Sequence, residues 1–159
     1  MPINLEDYMK PETFEKIRLF SEDKETPFLV LDTDTVHHQL ENLTQAFPYA
    51  SIYYAVKANP AIEILTMMRD KDINFDIASI YELDRVLSLG ISPDRVCYGN
   101  TIKKSRDIRY FYDKGVRMFA TDSEADIRNL ARAAPESKIY VRILTEGTLT
   151  ADWPLSRKF

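Results

Sequence analysis

The sequence predicts an α/β fold built on a parallel sheet, an incomplete (β/α)8 barrel with about five βα units where closure takes eight. The first observation is a repeat of roughly 21–23 residues, in which an apolar strand precedes a helix. The predicted strands end near Lys57, Ala78, Asn100, Thr121 and Leu144. The second is a set of helix stops at Gly90, Gly115 and Pro135. The third is the lack of a Gly-rich phosphate loop after the first strand, which favours a barrel over a dinucleotide-binding sheet.

Bulk composition argues against several classes of function. The formal charge of -4 includes no basic block, which argues against nucleic acid as a partner. No apolar run approaches the roughly 18 residues of a membrane helix, and the N-terminus lacks a signal-peptide core. The single cysteine, Cys97, rules out an internal disulfide and fits a reducing cytoplasm. His37 and His38 are adjacent on a predicted helix and point in different directions, so no metal site is predicted.

The N-terminal region is expected to supply one helix and one strand before the repeat begins. Pro11 can open an amphipathic helix, and the apolar residues 27–32 predict a strand. Asp32 is placed to cap the helix that follows. We therefore assign residues 1–33 to an N-terminal helix and strand that would join a second β domain. Residues 34–159 are assigned to the incomplete barrel.

Lys57 stands at the end of the first strand of the repeat. Residues 52–56 are apolar and aromatic, and Pro60 stops the strand. Alternation on a strand would place Tyr53, Ala55 and Lys57 on one face. Burial there would favour the neutral amine, which is the form that attacks a carbonyl to make a Schiff base. From these residues alone, the commoner arrangement is a strand-end lysine whose ammonium reaches water.

A series of motifs gives a family resemblance that covers about residue 27 to the end of the chain. The paired signature is YAVKAN at 54–59 and FDIAS at 75–79. It is followed in order by YGNTIKK at 98–104, TDSE at 121–124, VRI at 141–143 and LSRKF at 155–159. Together they resemble the fold-type III decarboxylases of basic amino acids, which depend on pyridoxal phosphate, and within them the ornithine/lysine branch. The resemblance implies a TIM-like barrel of the alanine-racemase type.

The resemblance also implies roles for four residues. Lys57 matches the family's Schiff-base lysine, which holds pyridoxal phosphate, and Ala55 would leave room for the flat cofactor ring. Asp76 resembles an active-site aspartate, although an aspartate beside Ser79 is also placed to act as a helix cap. Arg142 resembles an arginine near the pyridine ring. Because it lies in an apolar strand, it needs a buried partner, for which Asp76 is the first candidate.

Three further residues have weaker assignments. Glu82 corresponds to an acidic residue linked to the family's active site, but a capping box with Ser79 explains it equally well. Lys158 resembles a lysine at the family's dimer contact. Cys97 is interpreted as a small core residue, since the family's catalytic cysteine comes much later in a full chain.

The resemblance implies a full-length homodimer that decarboxylates L-ornithine or L-lysine in the cytoplasm. It also implies elements that this sequence lacks, including the phosphate loop, a histidine stacked on the cofactor and a glutamate paired with the pyridine nitrogen. We therefore expect these residues to be an N-terminal fragment with little activity alone. Three alternatives stay open: a diaminopimelate or arginine decarboxylase or racemase relative, a non-catalytic binding module, and a Schiff-base aldolase without a cofactor.

Overall fold

A five-stranded parallel sheet is the centre of the computed structural model, which describes residues 9–143. The strands are β1 (Tyr53–Ala55), β2 (Asn74–Ile77), β3 (Val96–Tyr98), β4 (Met118–Thr121) and β5 (Lys138–Val141). Each strand pairs in parallel with the next one in the chain, so the order in the sheet is the order in the sequence. The predicted parallel α/β sheet is therefore confirmed.

Helices connect the parallel strands, because a parallel neighbour can be reached only by a crossover. The helices are α1 (Pro11–Ser21), α2 (Thr33–Ala46), α3 (Ile62–Asp70), α4 (Ile80–Ser88), α5 (Ser105–Asp113) and α6 (Glu124–Ala133). The last four each lie between two consecutive strands. This arrangement matches the predicted βα repeat and brings the carboxyl ends of all five strands to one edge of the sheet.

Local sequence signals set the helix boundaries. Asp32 caps α2 by accepting a hydrogen bond from the backbone N–H of Asp34 at 3.0 Å, as predicted. Helices α4 and α5 are followed by Gly90 and Gly115, whose φ values of 77° and 99° lie in the left-handed region that glycine adopts without strain. These two residues are the predicted stops.

The largest core side chains of β2 and β3 lie on one face of the sheet. In β2, Phe75 and Ile77 are completely buried, whereas the alternate residues Asn74 and Asp76 are half-buried. Tyr98 of β3 stacks on Phe111 of α5 with ring centroids 3.9 Å apart, which ties the sheet to its helical layer. The sheet therefore has an apolar face under the helices and a more polar face opposite.

The chain divides into two compact units, with the boundary between Pro48 and Tyr49. Within the described part of the first unit are α1, which begins at Pro11 as predicted, and α2. The strand predicted at 27–32 is wrong, because these residues are not part of any strand. A strand requires hydrogen-bonded neighbours, and Leu29 in this segment is 92% exposed. The domain boundary predicted at residue 33 stays a prediction.

Two other predictions fall beyond the described residues. The predicted end of the fifth strand at Leu144 and the motif that contains Lys158 both lie outside residues 9–143. Within that range, the structure contains no helix long and apolar enough to cross a membrane.

A buried ion pair joins the loop after β3 to the next βα unit. The Nζ atom of Lys103 lies 2.5 Å from Oδ2 of Asp126, in the first turn of α6. It also lies 2.6 Å from the carbonyl oxygen of Ala120 in β4 and 3.0 Å from that of Asn100. The Lys103 side chain is 0% exposed and that of Asp126 is 8% exposed. Because every partner is an oxygen acceptor, the desolvated ammonium is well compensated.

Removing one partner of this pair should destabilise the fold strongly. We expect Lys103→Met to lower the free energy of unfolding by about 3–5 kcal/mol, because the Asp126 carboxylate is left buried without its cation. Lys103→Met combined with Asp126→Leu should cost less than the sum of the two single changes. Urea unfolding of the four proteins measures this coupling.

A matched control is the ion pair between Arg128 and Glu124, which also has an N–O distance of 2.5 Å. Its side chains are 70% and 79% exposed, so Arg128→Met should change stability little. Equal losses in Lys103→Met and Arg128→Met would contradict the importance of burial.

Candidate active site

Polar side chains gather on the sheet face opposite the helices, near the carboxyl ends of the strands. The register places Ala55 beside Asp76 and Asp76 beside Cys97, so three neighbouring strands contribute one row. Tyr140 and Arg142 approach the same row from β5 and the residue after it. Functional groups of βα barrels lie at this end of the strands. The candidate site is therefore this row and the turn that follows β1.

Lys57 lies on a single 3₁₀ turn, Val56–Ala58, that directly follows β1. Val56 is completely buried and anchors the turn. Tyr54 braces it by donating its hydroxyl proton to the carbonyl oxygen of Asn59 at 3.0 Å, and the Asn59 side chain accepts the N–H of Ala61 at 3.0 Å. The lysine side chain is exposed at the edge of the sheet.

This geometry corrects one part of the sequence prediction. The strand ends at Ala55, not at Lys57, so strand alternation does not fix the direction of the lysine. The 3₁₀ turn advances by about 120° per residue instead of the 180° of a strand. Lys57 is exposed, in agreement with the commoner arrangement in which a strand-end lysine reaches water.

The carboxylate of Asp76 packs directly over Gly99, the residue after β3. A Cβ atom placed on Gly99 would lie 1.7 Å from Oδ1 and 2.6 Å from Cγ of Asp76. Contacts below 3.0 Å are essentially never seen between a Cβ and another heavy atom. Gly99 is therefore required here by the close approach of the aspartate, with its N–H bound to the carbonyl oxygen of Ile77 at 2.9 Å.

Cys97 and Tyr140 extend a chain of contacts from Asp76 across the sheet. The Cys97 thiol donates to Oδ1 of Asp76 with an S–O distance of 3.5 Å. The Tyr140 hydroxyl donates to Sγ of Cys97 at 3.7 Å. Arg142 reaches the same place, since its Nη2 donates to the carbonyl oxygen of Gly99 at 2.9 Å. Three strands thus position polar groups around one carboxylate.

These surroundings keep the thiol and the phenol protonated. Burial, followed by the negative charge of Asp76, raises the pKa of Cys97 to about 12. Burial also raises the pKa of Tyr140, and Cys97 and Asp76 act in the same direction while Arg142 opposes them. The pKa of Tyr53 is raised by burial and then by Cys97. At neutral pH the Cys97 thiol and the Tyr140 hydroxyl are therefore hydrogen-bond donors.

The structure brings most of the predicted site residues together. Ala55, Asp76 and Arg142 meet around Gly99 and the β1–β3 row, and Lys57 follows Ala55 by two residues. The predicted ion pair between Asp76 and Arg142 stays a prediction, while both side chains are seen to reach Gly99. Asp76 contacts β3 and not the start of α4, so the alternative of a helix cap is wrong.

Sequence reasoning missed the contribution of the third strand. Cys97 is a buried core residue as predicted, and its thiol also contacts Asp76 and Tyr140. Gly99 was not singled out. The available signal is strand alternation, which places Tyr140 on the same face as Arg142.

Glu82 has the capping role. Its N–H is bound by Oγ of Ser79 at 3.3 Å, and its carboxylate accepts the N–H of Ala78 at 2.7 Å. Both bonds satisfy backbone donors at the start of α4, as a capping box does. The observed role of Glu82 is thus to hold the β2–α4 turn that follows Asp76.

The two histidines are on the exposed face of α2. His37 pairs with Glu41 at 3.0 Å and His38 with Asn42 at 3.2 Å, each one helical turn along. No group of three metal-ligating side chains occurs in the described part of the chain.

A parallel α/β sheet that groups a lysine, a carboxylate and a guanidinium at its carboxyl edge is typical of a cofactor-binding enzyme domain. A family model described as "Pyridoxal-dependent decarboxylase, pyridoxal binding domain" matches residues 33–158. The chain therefore belongs to the pyridoxal-dependent decarboxylases, and the predicted family and cofactor are confirmed.

Individual relatives agree with the family assignment. Ornithine decarboxylase of Saccharomyces cerevisiae is 36% identical over 136 residues, covering 86% of this chain and 29% of the yeast protein. Lysine/ornithine decarboxylase of Selenomonas ruminantium is 35% identical over 118 residues, covering 74% of this chain and 30% of that protein. The chain thus spans less than a third of the length of these two relatives.

Solved structures show the same fold. The crystal structure of an SrLDC mutant in complex with PLP superposes with a TM-score of 0.82 at 31% identity. The match covers 91% of this chain and 38% of that one. The likeness confirms the predicted class of fold, part of a TIM-like barrel.

The side chains present fit pyridoxal phosphate. The cofactor carries an aldehyde, a ring hydroxyl and a phosphate, which call for an amine, hydrogen-bond partners and cations. Lys57 supplies an accessible amine, Asp76 and Arg142 supply opposite charges, and Ala55 contributes only a methyl group beside Asp76. The donor set is therefore compatible with the cofactor.

Substitution of Gly99 should disturb Asp76 more than the rest of the fold. We expect Gly99→Ala to lower the free energy of unfolding by about 1–3 kcal/mol, because the new methyl group overlaps the carboxylate. In an Asp76→Ala background the overlapping atoms are gone, so the same change should cost much less. Urea unfolding of the four proteins tests this, and equal costs in both backgrounds would show that the overlap is not the cause.

Proposed function

We propose that this chain provides the cofactor-binding part of a pyridoxal-phosphate-dependent decarboxylase that acts on L-ornithine, with L-lysine as a second substrate. The observation that supports this most is the exposed Lys57 at the carboxyl edge of the sheet, on the turn that follows Ala55, the neighbour of Asp76 in the sheet. The relatives named for both ornithine and lysine support the substrate class.

Lys57 is the residue proposed to hold the cofactor. Its amine would hold the cofactor through the cofactor's aldehyde group. The buried Val56 and the Tyr54–Asn59 hydrogen bond fix the backbone on either side, so the amine is presented from a braced turn. When bound, the cofactor takes up the electrons that remain after carbon dioxide leaves the substrate.

The charged pair of the sheet is proposed to orient the cofactor and the substrate. Asp76 offers a carboxylate that can accept hydrogen bonds from an ammonium group. Arg142 offers a guanidinium for the polar edge of the ring, and its bond to the Gly99 carbonyl holds it next to Asp76. The small side chain of Ala55 leaves space for the cofactor beside Asp76. Lys57, Asp76, Arg142 and Ala55 would thus bind and orient the cofactor and the substrate. None of the four would be oxidised or reduced.

The assembly and location of the whole protein are also proposals. A homodimer follows from the family resemblance, in which the active site forms between two subunits. A cytoplasmic location is supported by the single cysteine, Cys97, which is buried as a free thiol.

The Lys57 assignment predicts one site of covalent labelling. Borohydride treatment of the protein with pyridoxal phosphate should attach the cofactor to Lys57, because reduction traps the C=N bond on the lysine that forms it. Peptide mass mapping locates the label. Lys57→Arg, which keeps the positive charge, should abolish labelling at this position.

Lys103 is the internal control, since its side chain is completely buried and bound by oxygen acceptors. It should stay unlabelled in the folded protein. A label found mainly on a surface lysine such as Lys104 would overturn the proposed role of Lys57, and no selective label at all would favour a binding module without catalysis.

Activity assays test the substrate proposal. In a full-length protein that contains this segment, carbon dioxide release from ornithine, lysine, arginine and diaminopimelate should be highest with ornithine, followed by lysine. Lys57→Arg should reduce the rate by several orders of magnitude, since covalent catalysis is lost. A clear preference for arginine or diaminopimelate would overturn the substrate choice and leave the cofactor proposal standing.

A further inference from the structure

The Asp76 carboxylate has more contacts than it would need if it only supplied a negative charge near a cofactor. Oδ1 of Asp76 accepts the thiol proton of Cys97 and is also the atom closest to Gly99. Behind the thiol, the Tyr140 hydroxyl lies 3.7 Å from Sγ. The contacts therefore form a line from β5 through β3 to β2.

We propose that Cys97 and Tyr140 are positioning residues for Asp76. Tyr140 donates to the Cys97 sulfur, Cys97 donates to Oδ1 of Asp76, and Oδ2 is thereby left to accept a hydrogen bond from substrate or cofactor. This inference rests on the proposed site role of Asp76.

The direction of these hydrogen bonds follows from the chemistry of the carboxylate, the thiol and the phenol. An ionised carboxylate only accepts hydrogen bonds, so the thiol must supply its single proton to Asp76. The sulfur then has lone pairs left, which accept the phenolic proton of Tyr140. The raised pKa values of Cys97 and Tyr140 keep both protons in place at neutral pH. The line of hydrogen bonds therefore has only one consistent direction.

Packing fixes the rotation of the carboxylate as well as its position. Gly99 lets Oδ1 sink toward the backbone of β3, where the Cys97 thiol meets it. A larger residue at either position would push the carboxylate outward. Oδ2 is the carboxylate oxygen that the Cys97 thiol does not bind, which agrees with its being the oxygen presented to a ligand.

Within residues 9–143, titratable groups from β1, β2 and β5 act on the thiol. Asp76 comes from β2 and raises the thiol pKa through its charge and its hydrogen bond. Tyr140 from β5 lowers it, because its donated hydrogen bond stabilises the thiolate. Tyr53 from β1 interacts electrostatically with the thiol, and Arg142 after β5 acts on Tyr140. Asp76 and Tyr140 thus act on the thiol with opposite sign.

The opposite signs give a direct test, since Cys97 is the single cysteine of the chain. The alkylation rate of Cys97 by iodoacetamide is measured between pH 7 and 9. Asp76→Asn should raise the rate at least about tenfold, the effect of one pKa unit, because the thiolate becomes easier to form. Tyr140→Phe should lower the rate, because the thiolate loses its donor.

Two variants control for changes elsewhere. Tyr81→Phe removes a phenol that is 81% exposed on α4, and Glu124→Gln removes an exposed carboxylate on α6. Neither should change the alkylation rate. Circular dichroism and thermal unfolding check that each protein is folded.

Raman spectroscopy of the S–H stretching band gives a readout that does not depend on reagent access. The band of the unsubstituted chain should lie below that of a free thiol, because the proton is shared with a carboxylate. Asp76→Asn should move it upward. An unshifted band in the unsubstituted chain would overturn the proposal even if Asp76→Asn fails to fold.

The outcomes separate this inference from the proposed function. Equal acceleration in Asp76→Asn and Tyr140→Phe would mean that the two residues merely shield the thiol, and would overturn the positioning role. If Lys57 is still labelled by the cofactor in that case, the proposed function stands. If the alkylation rates change as expected but the cofactor labels another lysine, the proposed function fails. The positioning role of Cys97 and Tyr140 then still stands.

Discussion

The buried ammonium of Lys103 is the interaction on which the carboxyl edge of the sheet depends. It binds the loop that leaves β3 to the end of β4 and to the first turn of α6. That loop begins directly after Gly99, whose carbonyl binds Arg142 and whose Cα supports Asp76. An unpaired charge in this position would cost several kcal/mol, so the loop has few other stable conformations. Lys103, which is not part of the candidate site, in this way fixes the geometry of that site.

One face of the sheet stabilises the fold, and the other carries the candidate site. On the helical side, Phe75, Ile77 and Tyr98 fill the core. On the other side, the same strands carry Asp76 and Cys97, each one residue away from a core residue. Period-two alternation makes this possible with strands of only three or four residues. Along each strand, the residues of the candidate site are thus independent of the residues that pack in the core, as long as the register between strands is kept.

Local signals in the sequence were sufficient for much of the fold. Asp32, Ser79, Gly90 and Gly115 each set a helix boundary through contacts within a few residues, and such contacts can be read from the chain. The strand predicted at 27–32 failed for the opposite reason. Its apolar pattern favours an extended strand, but pairing depends on a neighbour that the pattern does not specify.

The candidate site was predictable in its residues and less so in its geometry. Lys57, Asp76 and Arg142 were identified through motifs, but the turn at Lys57 depends on a hydrogen bond from Tyr54 to Asn59. The role of Cys97 depends on the register between β2 and β3, which sets it beside Asp76. The sequence gives no signal that Lys103 is buried, which depends on the packing of α6.

The spread of the Asp76 contacts over three strands also bears on how the protein is made. The chain leaves the ribosome from its N-terminus, so β2 emerges well before Cys97, and Tyr140 and Arg142 follow more than 60 residues after Asp76. Until β5 docks, the carboxylate has only part of its surroundings. The site is therefore completed late in the translation of this segment, and a ribosome-bound nascent chain that stops before Tyr140 would present Asp76 without its full hydrogen-bonded support.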